Sequence, residues 1–150
     1  MSDIILSVRH LSKSFGDHQV LKDVDFDARK GEVISIIGSS GSGKSTLLRC
    51  MNRLETPSGG QVLYHGREVG AAGFDLTEYR ARVGMVFQQF NLFANMSVME
   101  NCVVGQMKVL RRSRADSQDN AMKYLRSVGM DAYVHAKPRQ LSGGQKQRVA

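Results

Sequence analysis

A chain of 150 residues with 41% hydrophobic and 23% charged side chains is long enough for one folded domain and too short for two comfortable ones. Those proportions exclude a disordered tail, and no apolar run approaches the roughly eighteen residues that span a bilayer. The formal charge of +7 suits nucleic acid, an acidic membrane surface or a polyphosphate, and decides nothing alone.

The start, Met1 to Leu6, has no basic region ahead of a long apolar core, so an export signal is not expected and the default address is the cytoplasm. Ile4, Leu6 and Val8 alternate with polar neighbours, Phe15-Gly16-Asp17 looks like a turn, and Val20 to Ala28 alternates again. Val33 to Ile37 is a β-branched run with the pattern of a strand buried on both faces. It enters a glycine-rich loop and then a helical stretch, Thr46 to Leu54. Pro57, Gly59 and Gly60 break that helix, and Gln61 to Tyr64 returns to strand.

Asp75 and Glu78 stand in capping-box spacing at the head of a helix ending near Arg82, and Val83 to Phe87 is a second buried-strand candidate. Ser97 with Glu100, and Ser113 with Asp116, open two further helices. One carries Val103, Met107 and Leu110, and the other Met122, Leu125 and Val128, with Gly129 as its stop. The order is a β-rich start, a parallel α/β middle and a helical insert, with no repeat and no dividing linker. Cys50 and Cys102 lack metal or disulfide spacing and are expected as buried free thiols; His10, His18, His65 and His135 are scattered without ligand spacing. The basic run Lys108 to Arg114 has no interleaved aromatics, so a solvated helix end accounts for it better than a nucleic-acid groove.

Two motifs carry chemistry. Gly38-Ser39-Ser40-Gly41-Ser42-Gly43-Lys44-Ser45 satisfies GxxxxGK(S/T), with the buried strand before it and the helix after it that a phosphate loop requires. Glycines let the backbone approach phosphate oxygens, and amides from about Gly41 to Thr46 would form an anion nest at the positive end of a helix. Lys44 offers a mobile charge to the β- and γ-phosphates, and the Ser45 hydroxyl is a hard ligand for Mg²⁺. The second motif is Leu141-Ser142-Gly143-Gly144-Gln145. Ser142 and Gln145 form a capping box, and two bare glycines expose N–H groups at the helix start, a second anion-reading surface.

With both motifs in one short chain, the sequence resembles the ABC transporter ATP-binding proteins along essentially its whole length. The resemblance implies a P-loop α/β fold with an N-terminal antiparallel β region, a parallel core sheet and an α-helical subdomain. About 1–90 would be the β-rich and P-loop core, and about 91–150 the helical subdomain ending in the signature helix. It implies ATP and Mg²⁺ as ligands and a head-to-tail dimer, in which 141–145 of one copy contact the ATP held by 38–46 of the other. Gln88 falls at the family's Q-loop, where it would touch Mg²⁺, although Gln89 is its neighbour; Phe15 falls where an aromatic stacks on adenine. Leu48 to Glu55 and Val86 to Phe93 look like the versions found in importers of polar amino acids. Such subunits sit peripherally on the cytoplasmic side of the membrane, bound to a permease whose short helix enters a groove; Phe90 to Met99 would lie near it. No nucleic-acid partner is implied, although a non-transport ABC ATPase remains an alternative, as does a nucleotide-binding fragment without turnover.

Further family elements have no counterpart in these 150 residues: the Mg²⁺-binding aspartate after an apolar strand, the catalytic glutamate beside it, and the switch histidine. The expectation is therefore little hydrolysis by this chain alone, a truncated product or partial record, and exposed apolar faces at Val33–Ile37 and Val83–Phe87.

Overall fold

The alternation beginning at Ile4 builds a long hairpin. In the computed structural model, which describes residues 3–150, β1 (Ile4–Phe15) and β2 (His18–Arg29) pair antiparallel around the expected Gly16 turn. A register shift between Val8 and Leu11, with His10 at φ 50, changes the parity of the strand. Leu6, Val8 and Leu11 therefore all face the core despite their odd spacing. β3 (Gly59–Tyr64) pairs with the other edge of β1, and β4 (Arg67–Glu68) follows, giving an antiparallel sheet of order β2-β1-β3-β4.

Two helices complete this unit, which ends at Val83. α1 (Lys44–Met51) contributes Leu47 and Cys50 to the cluster of Leu6, Val8, Leu11, Leu21 and Val62, and α2 (Leu76–Arg82) contributes Tyr79. The Tyr79 hydroxyl donates to the Met51 carbonyl at 2.7 Å, and burial pushes its pKa up to about 12. α1 starts two residues before the expected Thr46 and ends at Met51, because Arg53 at φ 54 turns the chain out of the helix.

The second unit, Gly84–Ala150, is helical. α3 (Val98–Lys108) and α4 (Arg114–Ser127) lie side by side, joined through Gln106, whose amide donates to the Cys102 and Ser117 carbonyls and accepts from Arg112 and Asn120. Leu110 lies beyond α3 and Val128 caps the C-terminus of α4, so the two apolar stripes are each shorter than their spacing suggests; Gly129 at φ 66 follows as the expected stop. The α3 start is seated by Val98 N–H to Ala136 O and Met99 N–H to Val134 O, and α5 (Gly143–Val149) closes the chain. Val98, Leu125, Met130 and Leu141 form this unit's buried cluster. Both cysteines are free, Cys50 buried and Cys102 half-buried, with burial pushing each thiol's pKa up. No helix is long and apolar enough to cross a membrane among the described residues.

One expectation is corrected. Neither Val33–Ile37 nor Val83–Phe87 is a strand, and the described sheet is wholly antiparallel, without the parallel strands expected at its centre. A β-branched run becomes a buried strand only where neighbours accept its N–H and C=O groups and cover its faces. Among the described residues neither run pairs with a strand, and only Val83, at the end of α2, packs on the first unit's core. The exposure expected for these apolar runs is present: Val33 is 91%, Ile37 93% and Val86 73% exposed.

Candidate nucleotide-binding site

Four of the five α-helices among the described residues begin under a side chain. Asp75, Ser97, Ser113 and Ser142 each accept a first-turn N–H bond at the starts of α2 to α5. α1 differs: its N-cap is Gly43 in the left-handed region at φ 90, with no side-chain cap and no acidic residue in the first turn. Its leading N–H groups are left to a ligand or water, and the helix dipole makes an anion the favoured ligand.

The loop around this end is shaped by contacts the glycines permit. Gly43 is buried against β2, where an added Cβ would lie 3.0 Å from Leu21 Cδ2 and from Val20 Cγ1. At Gly38 a Cβ would sit 2.7 Å from Ser42 Oγ. Lys44 Nζ folds over the loop, donating to Gly38 O at 2.8 Å, Ser39 O at 2.6 Å and Ser42 Oγ at 3.3 Å. The ammonium is thus held at the mouth by weak acceptors that a phosphate can replace. Ser40 and Gly41 form the exposed turn above it, Thr46 is half-buried on the helix, and the exposed Ser45 hydroxyl bonds to no described residue. That is the donor set a Mg²⁺-triphosphate needs: free amides, a mobile cation and an uncommitted hydroxyl.

Phe15 ends β1 opposite His18, on the hairpin that supports Gly43 through Val20 and Leu21. Its ring is 48% exposed, with Lys13 Nζ 4.7 Å from the centroid. Lys13 is itself fixed by Glu55 at 3.4 Å and the Thr56 carbonyl at 2.8 Å, a support that no sequence signal marked. Gln88 and Gln89 share an exposed turn in the second unit, closed by Phe90 N–H to Phe87 O at 2.9 Å.

The 141–145 segment is also in the second unit. Leu141 is buried as an anchor, while Ser142 and Gln145 satisfy each other: Ser142 N–H to Gln145 Oε1 at 2.8 Å, and Gln145 N–H to Ser142 Oγ at 3.3 Å. Gly143 and Gly144 are exposed, and an added Cβ on either would meet nothing within 4 Å.

The profile of the ABC transporter family matches residues 21–150. The chain belongs to the ABC transporter family. It is 47% identical over 140 residues to a glutamine transport ATP-binding protein of Geobacillus stearothermophilus, covering 93% of this chain and 58% of that protein. A glutamate/aspartate import ATP-binding protein of Escherichia coli K12 is 44% identical over 146 residues, covering 97% and 61%. Among solved structures, the ATP-binding cassette MJ0796, seen as a post-hydrolysis dimer with ADP and Pi, superposes with a TM-score of 0.86 at 33% identity, covering 97% of this chain and 66% of that one. The chain thus spans about 60% of the length of these curated ABC relatives.

Proposed function

We propose that this chain is the ATP-binding subunit of an ABC importer, peripheral on the cytoplasmic side of the membrane, coupling ATP binding and hydrolysis to uptake of a polar amino acid. The observation that carries it is the uncapped N-terminus of α1 beneath Lys44, in a chain similar to glutamine and glutamate/aspartate transport ATP-binding proteins. Residues Gly38 to Thr46 bind the phosphates, Ser45 and Gln88 hold Mg²⁺, and Phe15 takes the adenine face left open by Lys13. Bound Mg²⁺ neutralises charge on the β- and γ-phosphates. About 1–90 forms the nucleotide core and about 91–150 the helical arm.

Two surfaces support the assembly. Glycine in a helix is disfavoured by about 1 kcal/mol relative to alanine, yet nothing in this chain requires a bare Cα at Gly143 or Gly144. Their bareness suits a partner that approaches from outside, the ATP held by a second copy, consistent with the dimer seen for MJ0796 with ADP and Pi. In the helical unit, Met96, Met99, Val103 and Met107 line a groove of about 200 Å³, the adaptable apolar surface that suits a short permease helix.

The deciding measurement is MgATP binding by the wild-type chain and Lys44→Ala. Loss of a charge-assisted bond of about 1.5–3 kcal/mol predicts affinity roughly ten- to a hundredfold weaker in the variant. Equal affinity would remove the basis of this reading. Phosphate release by the 150-residue chain is expected at the level of Lys44→Ala, because the family's water-polarising glutamate has no counterpart in these 150 residues.

A further inference from the structure

A cavity of about 420 Å³, separate from the nucleotide loop, lies between the β3–β4 turn and α2. Its floor is aromatic: Tyr79 is packed edge-on by Tyr64 and Phe74, with centroids 5.2 and 5.7 Å away. Tyr79 is itself buried, 2% exposed, with its hydroxyl committed to the Met51 carbonyl, so the ring surface open to the cavity is that of the half-buried Tyr64 and Phe74.

The rim carries both signs of charge. The Arg67 guanidinium lies over Phe74, 5.7 Å from its centroid, and forms no ion pair with any described residue. Asp75 uses Oδ1 to cap α2, which leaves Oδ2 uncommitted. Glu78 meets Arg82 through Oε1 at 3.1 Å, which leaves Oε2 uncommitted. Two guanidinium groups and two carboxylates therefore line one mouth, with His65 beside them. A purely anionic ligand would be repelled by Asp75 and Glu78, and a purely cationic one by Arg67 and Arg82. A zwitterion with an apolar or planar body satisfies every group at once.

We propose that this pocket binds a free α-amino acid, with its carboxylate on Arg67, its ammonium on Asp75 and Glu78, and its side chain on the rings of Tyr64 and Phe74, which the buried Tyr79 backs. The binding is independent of the nucleotide loop; its meaning, sensing of the class of solute carried, rests on the transport reading above.

Titration of the ¹⁵N-labelled 150-residue chain with L-phenylalanine, L-glutamine and L-arginine tests it. At least one should give saturable shifts at the Tyr64, Arg67 and Phe74 amides with Kd of about 1 mM or tighter. Phenethylamine and 3-phenylpropionate, each lacking one charge of phenylalanine, should bind at least tenfold more weakly than the amino acid that binds. Arg67→Ala, an exposed change, should weaken binding at least tenfold, and saturating MgATP should leave Kd unchanged. No saturable shift with any of the three amino acids, equal binding of a singly charged analogue, an unchanged Kd in Arg67→Ala, or competition by MgATP would each overturn the proposal. Failure here with intact MgATP binding would leave the nucleotide site standing.

Discussion

Gly43 and Gly144 lie in the two motifs yet face opposite demands. At Gly43 the backbone is left-handed and Leu21 and Val20 leave no room, so Gly43→Ala combines a φ penalty with a clash against β2. The expected cost is about 1–3 kcal/mol, read as a lowered Tm together with weakened MgATP binding. At Gly144 the helix is ordinary and the space open, so Gly144→Ala should be neutral or stabilising by up to about 1 kcal/mol. It should nevertheless weaken ATP-dependent dimerisation, followed as molar mass by static light scattering. A destabilised Gly144→Ala fold would show that the glycine serves this chain's own packing rather than an outside ligand. The motif alone made both glycines legible as phosphate-reading positions. It could not separate the roles, because the contacts from Val20 and Leu21 come from a strand more than twenty residues earlier.

Elements governed by local chemistry follow the sequence closely, and those needing distant partners do not. Ser97–Glu100 and Ser142–Gln145 close as full reciprocal boxes. The other two form only the first half: Asp116 is one methylene shorter than Glu, and Glu78 turns instead to Arg82. The two β-branched runs show the opposite case, since their pattern specifies a wish for burial but not who supplies it. The β1–β2 hairpin adds a feature invisible as spacing. His10 Nδ1 meets Asp23 Oδ1 at 2.8 Å across the bulge, and Asp25 Oδ2 lies 3.7 Å away. The hydrogen bond the ring donates to Asp23, then the charges of Asp25 and Asp23, raise the imidazole pKa above its ordinary value. A raised folded-state pKa means the contribution is fully present below the ordinary histidine pKa and is lost as pH rises through the folded value. Wild type should therefore lose a small part of its Tm across that window relative to His10→Gln. Parallel pH curves would remove the hairpin lock; because the group is exposed, salt should also shrink the effect.

At the scale of the molecule, two buried clusters hold the chain, one built on Leu6, Val8, Leu11 and Tyr79, the other on Val98, Leu125, Met130 and Leu141. The runs Val33–Ile37 and Val83–Phe87 contribute to these clusters only through Val83, packed at the edge of the first, while Val33, Ile37 and Val86 stand in solvent. Exposed apolar side chains without ladder hydrogen bonds have two separable signatures. A hydrophobic dye should bind the native 150-residue chain, and amides of 33–37 and 84–87 should exchange with solvent far faster than those of β1 and β3. Heating should give a broad transition, because two clusters of unequal size need not melt together. MgATP at a hundred times its Kd adds about 2.7 kcal/mol to whatever part of the chain holds it. That gain should appear as slowed exchange in the first unit, around α1 and the adjoining β2, whereas the Val98–Leu125 cluster, which holds none of the phosphate loop, should be protected less. Absence of dye binding together with protected amides at 33–37 would mean these runs are paired in solution, and the strand reading of the sequence would be restored.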